Sequence, residues 1–200
     1  MGISTDLALM ERFSVHAEYA MSAYTRDTRM PEIYYDKYTY LNNLGGIFTP
    51  RNTTRVNGCF NGSVTYSAEK FNVNLGYRRV APEYITLGST YLANDLEDYT
   101  LGAGTSFIKG KGNISGNLGF QRNNLDDNLE NITKRFIGSA TVSYAFTTQL
   151  GASLNYANFS SKTGPDYVTF ADSASFIQAT SNIGATLTYS WGEGINSRPI

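Results

Sequence analysis

One histidine, His16, stands two residues from Glu18 in the stretch FSVHAEYAMS. A hydrolytic site would need a hydroxyl nucleophile, an imidazole base and an acid or carboxamide to orient it, all within hydrogen-bond reach. Ser14, Ser22 and Asn57 could supply such partners, but serine and asparagine are so abundant that a nearby pair says little. A solvated histidine is the simpler expectation, because a motif counts only through the geometric roles of its members. The run Asn123, Asn124, Asp126, Asp127, Asn128, Glu130 offers oxygen ligands spaced much as in a calcium loop. It lacks the glycine and the terminal glutamate that fix such a loop around the ion, so a solvated loop is expected. Asp95, Glu97 and Asp98 get the same reading. No catalytic, cofactor-binding or metal-binding residue is therefore nominated, and the chain reads as non-enzymatic.

Six arginines, Arg26, Arg29, Arg51, Arg55, Arg78 and Arg79, fall in or beside long polar segments, where they could contact phosphates or funnel anionic solutes. A formal net charge of −1 gives no general attraction for nucleic acid. Cys59 is alone, which excludes an internal disulfide and a cysteine metal cluster; it reads as a small filler.

The elements that must position these residues show in the stretch Tyr99 to Gln121. Tyr99, Leu101, Ala103, Thr105 and Phe107 share one parity, and Ile114, Gly116, Leu118 and Phe120 continue it after the loop KGK. A period of two puts successive side chains on opposite faces of a strand, and a glycine in a three-residue loop suits a hairpin. The same pattern predicts nine strands, near 3–9, 13–25, 55–67, 71–79, 97–108, 112–121, 135–146, 150–160 and 182–191. The fold class expected is all-β: an antiparallel up-and-down meander in one domain spanning 1–200, forming a transmembrane barrel or an open segment of a larger one. Short turns at 10–12, 68–70, 109–111 and 147–149 alternate with long loops through 26–54, 78–96, 122–134 and 161–181.

Charged residues make up 16% of the chain, against about a quarter in soluble domains. No apolar run approaches the roughly 20 residues of a membrane helix. Alternation without charge points to strands with lipid on one side and water on the other. On the apolar parity, aromatic residues sort by height. Phe13, Tyr66, Phe71, Phe107, Tyr144, Phe146, Tyr189 and Trp191 lie near the short turns, and Tyr77, Tyr99, Phe120, Phe136 and Tyr156 near the long loops. Aromatic rings favour the headgroup level, so these residues are expected to form two membrane girdles. Charges within strands, such as Glu18 and Arg78, are expected on the polar parity, away from lipid.

The count of nine is odd, where single-chain bacterial barrels have even counts. Residues 192–197 read as a further short turn. The N-terminal stretch MGISTDLALMERF carries no basic-then-apolar leader pattern. A segment of a larger barrel, beginning at a fragment or processed start, is the expectation.

The hairpins YTLGAGTSFIKGKGNISGNLGFQ and RFIGSATVSYAFTTQLGASLNYANF resemble those of outer-membrane β-barrel proteins of Gram-negative bacteria. YRRVAPEYITLGSTYLANDLEDYT and GFQRNNLDDN are similar to a little-characterised group of large barrels in that class. The resemblance implies an outer-membrane location, membrane lipid as a partner, and a porin-like transport channel or an envelope scaffold. It also suggests lipopolysaccharide at the arginine rim and other envelope proteins as partners. Two alternatives compete: a soluble up-and-down barrel holding a small apolar ligand, and a membrane-embedded hydrolase using His16. Within the first loop, Tyr34, Tyr35, Tyr38, Tyr40, Leu41, Leu44, Ile47 and Phe48 could dock a ligand or pack as a plug.

Overall fold

The computed structural model describes residues 1–44, 46–89, 92–165 and 175–191. Nine antiparallel strands follow one another in sequence order: β1 (Gly2–Leu9), β2 (Phe13–Thr25), β3 (Thr54–Ser67), β4 (Phe71–Val80), β5 (Leu96–Phe107), β6 (Gly112–Asn123), β7 (Asn131–Ala145), β8 (Leu150–Pro165) and β9 (Phe176–Tyr189). The up-and-down meander of the sequence reading is therefore the architecture. The expected turn at 192–197 lies outside the described residues.

The pairing keeps one parity on one face throughout. Val15 faces Val64, Val64 faces Leu75, Leu75 faces Leu101, and Leu101 faces Leu118. Further along, Ile114 faces Val142, which faces Leu154 and then Ala185. A slip of one residue at any interface would invert a whole strand, so eight consistent registers reflect strong specification by this apolar parity.

The connections obey the expected asymmetry. At the third hairpin, Gly110 takes φ +85°, preceded by Ile108 and Lys109 also at positive φ. Glycine adopts that conformation without a Cβ clash, which is why KGK turns the chain so tightly. At the other rim, strands run further than the sequence suggested. β7 begins at Asn131 rather than near 135, β8 reaches Pro165 rather than 160, and β9 starts at Phe176 rather than 182. Polar and charged residues there had read as loop, but ladder hydrogen bonds continue through them.

The sheet is a single layer. Among the described residues the buried hydrophobic side chains are Leu41, Val80, Tyr84 and Leu96, with Ala20 and Cys59 packed against the last three. Ala20, Cys59, Val80 and Leu96 stand opposite one another on the polar parity at the loop-side rim. The small core thus forms where the segment after β4 folds over that face. Burial there pushes the Tyr84 phenol above its ordinary pKa. Cys59 fills space in this cluster, the role expected of it. β1 and β9 each pair on one side only among the described strands, so the sheet is open. The described strands therefore do not close into a barrel on their own.

Candidate functional site: two faces of one sheet

The apolar face is bare. Leu75, Leu118 and Leu154 remain 55%, 48% and 50% exposed, and no described element lies across them. Rings border this apolar strip on two sides. Near the turns, Phe13 packs on Tyr66 (centroids 4.6 Å apart) and Tyr66 on Phe71 (5.6 Å). Phe107 stacks near Tyr144, which meets Phe146 at 4.9 Å, and Tyr189 approaches Trp191 at 6.2 Å. Near the loops, Tyr77 and Tyr99 are 5.0 Å apart, with Phe120 and Phe136 next on the same register line and Tyr156 beyond. Tyr19 and Phe60 extend this second row, Phe60 lying 5.9 Å from Tyr77. Sequence reasoning missed these two because β2 and β3 run well past them. Their parity, and their facing positions once β2 and β3 are paired, were the available signals.

The rows follow the register over some strand pairs and step across it at others, always in the turnward direction along the sheet. Phe60 stands opposite Arg79, and Tyr77 lies two residues nearer the turn. Phe136 stands opposite Ser160, and Tyr156 lies four residues nearer the turn. In the other row, Phe71 lies two residues turnward of Val73, the partner of Tyr66. Phe107 lies two turnward of Thr105, the partner of Phe71, and Tyr189 two turnward of Leu187, which shares the register line of Tyr144. Both rows therefore shift in the same direction by about one residue per strand. With about 3.3 Å per residue and 4.8 Å between strands, two parallel bands on strands tilted by ~35° give that slope.

The opposite face is polar and carries a cross-strand chain of side chains. Arg78 Nε donates to Asp98 Oδ2 (2.7 Å) and Gln121 Nε2 to Asp98 Oδ1 (2.5 Å). Arg135 Nη1 in turn donates to Gln121 Oε1 (2.7 Å). These residues line a recess of about 450 Å³ together with Asn61, Ser63 and Asn74. Nearer the turns, Asn74 donates to Thr65 Oγ1 (2.6 Å) and Thr141 to Asn155 Oδ1 (3.0 Å). This face can coordinate water and small polar solutes.

His16 also lies on the polar face, but its partner is Asp6, with Nδ1 to Oδ1 at 2.7 Å. Ser14, Ser22 and Asn57 make no hydrogen bond to the ring among the described residues. Ser63 stands opposite His16 on β3 without one either.

The six rim arginines do not form one cluster. Arg29 pairs with Asp27, Arg51 with Glu32, Arg55 with Glu83 and Arg78 with Asp98. The Arg29 backbone N–H and guanidinium hold the Asp27 carboxyl below its usual pKa. Arg26 and Arg79 have no ion pair among the described residues.

Two residues of the oxygen-rich run, Asn123 and Asn124, are engaged by their own loop. Asn124 Oδ1 accepts from Leu129 N (2.8 Å), and its Nδ2 donates to Leu129 O (2.9 Å). Asp95 accepts from the backbone N–H groups of Asn124 and Leu125, and Asn123 Oδ1 from Thr133 N. Asn124 is buried rather than solvated.

The expectation that strand charges avoid the apolar parity is corrected. Arg79, Glu97, Arg122, Lys134 and Lys162 all lie in strands on that parity, loopward of the second ring row. Counting two residues beyond Tyr77, Tyr99, Phe120 and Phe136 would have found the first four. Arg79 and Glu97 end the expected strands 71–79 and 97–108, whereas Arg122, Lys134 and Lys162 read as loop because their strands were ended short of them.

The first loop folds at the same rim, with a short 3-10 segment at Asp36–Asn43. Leu41 is buried, whereas Tyr34 and Ile47 are exposed. Tyr40, Leu41, Leu44 and Phe48 line a recess of about 590 Å³ shared with Met21 and Tyr84.

No family model, curated protein or solved structure matches this chain.

Proposed function

We propose that the chain is a wall segment of an outer-membrane β-barrel, non-enzymatic, serving as a pore or transport channel or as an envelope scaffold. The observation that carries this reading is the average slope shared by two aromatic bands across the register of an uncovered apolar face. Parallel ring girdles on strands tilted 35–45° are what a bilayer imposes on a barrel. A soluble core has no boundary at two depths and no reason to sort rings by height. A single-layer sheet would also leave its apolar face in water, far beyond the patch a soluble monomer tolerates. The opposite face, with its Arg78–Asp98–Gln121–Arg135 chain, suits a hydrated lumen.

Refolding the full chain into phosphatidylcholine vesicles tests the reading. Protease-resistant, detergent-extractable β-structure with heat-modifiable gel migration is the expected result. A monodisperse, detergent-free soluble form would overturn it. The Asp6–His16 couple is what favours the hydrolytic alternative, since it supplies an acid and a base. Loss of phospholipid hydrolysis on His16→Ala would support that alternative, and absence of any hydrolysis by the unaltered chain would remove it.

A further inference from the structure

The cations on the apolar parity form a straight cross-strand ladder. Arg79 faces Glu97, Glu97 faces Arg122, Arg122 faces Lys134, and Lys134 faces Lys162, one residue from each of β4 to β8. At about 4.8 Å per strand the ladder is roughly 19 Å long. Glu97 is its sole anion and is fully engaged. It is 4% exposed and accepts from Tyr77 OH and from Arg122 Nε, each at 2.7 Å. Arg79, Lys134 and Lys162 are exposed and have no ion pair among the described residues.

Like charges directly opposite across a strand pair destabilise a sheet. Three successive cations, Arg122, Lys134 and Lys162, therefore call for a counter-anion. Their height says which kind. Arg79, Arg122 and Lys134 lie two residues, about 6–7 Å along the strand, beyond Tyr77, Phe120 and Phe136 on the same face, whereas Lys162 lies six residues beyond Tyr156. Acyl chains against the leucines and headgroups against the rings put phosphate at the level of Arg79, Arg122 and Lys134. Guanidinium and ammonium groups are suited to phosphate oxygens, the former through a planar fork.

We propose that Arg79 and Lys134, with Arg122 held in place by Glu97, form a binding site for the phosphate groups of an anionic lipid in the loop-side leaflet. This rests on the membrane reading above. It assigns the lipid contact to the outward ladder rather than to the arginines of the loops, most of which are already paired.

The test compares the full chain, the double variant R79Q/K134Q, and a charge-matched control at the other rim, K109Q/K111Q. All are refolded in phosphatidylcholine vesicles doped with a bisphosphorylated glycolipid, extracted mildly, and assayed for retained lipid by native mass spectrometry. Insertion, read by heat-modifiable migration, is expected to be equal for all three. Retention of the glycolipid over phosphatidylcholine is expected to fall at least tenfold in the ladder variant only. Equal insertion with unchanged preference in that variant would overturn this site and leave the membrane reading standing. Failure of all three to insert would overturn both. Displacement of the glycolipid by millimolar inorganic phosphate would show a free-anion site and overturn the lipid assignment.

Discussion

Asp98 accepts hydrogen bonds from Arg78 on one side and Gln121 on the other, while Arg135 grips the far end of Gln121. Removing the carboxylate leaves a guanidinium and an amide competing for water on a partly buried wall. Bonds to charged groups contribute about 1.5–3 kcal/mol each when well formed, less where solvent reaches them. Asp98→Ala is expected to lower unfolding stability in micelles by about 1–2 kcal/mol, read from the denaturant midpoint, in keeping with half-exposed Arg78. Asn124 is a second sharp case, because its side chain closes the Asn124–Leu129 loop with two backbone bonds. Asn124→Ala should destabilise by about 1–3 kcal/mol, since it removes from a buried side chain two hydrogen bonds of about 0.5–1.5 kcal/mol each. Millimolar calcium should shift the melting temperature of neither form; a calcium-dependent rise in the unaltered chain would mean the loop oxygens bind an ion after all.

At the scale of the strand, parity decides what a substitution does. Leu118 faces outward at mid-height on β6, and its neighbour Asn117 faces the polar side. An arginine on the lipid side at mid-depth costs about 2–4 kcal/mol, while the lumen side tolerates charge. Leu118→Arg should therefore impair folding into vesicles strongly and Asn117→Arg only slightly, scored as the folded fraction on unheated gels. Equal effects would mean the two faces see the same environment. Glycine placement works at the same scale. A Cβ built on Gly112 would run into the ring of Phe107 on the neighbouring strand. The ring lies over the bare backbone, an arrangement known to recover stability lost at strand glycines. Gly112→Val should displace Phe107 and slow hairpin pairing, visible as a lower yield of heat-modifiable protein.

For the whole molecule, the decisive property is that one layer carries two exposed faces of opposite character. Water cannot solvate the leucine face cheaply, and β1 and β9, each paired on one side only among the described strands, add edges with free hydrogen-bonding groups. The full chain is expected to precipitate or associate on detergent removal and to remain dispersed and β-rich in micelles, followed by light scattering and circular dichroism. Stable monomers in plain buffer would argue for a covered apolar face.

The number of strands, their order and the two faces were legible in the sequence, because a pleated strand has a period of two and each face keeps its own solvent. The ring rows were legible for the same reason, apart from Tyr19 and Phe60. What tertiary structure decided is everything that depends on register between distant segments. Only pairing shows that the two bands share one slope, that Asp98 bridges Arg78 and Gln121, and that Asp6 rather than a serine meets His16. Only pairing carries the strands beyond the rings and lines up Arg79, Glu97, Arg122, Lys134 and Lys162. Alternation sets which way a side chain points, but its cross-strand neighbour is fixed by ladder pairing between residues as much as 53 positions apart, as between Phe13 and Tyr66.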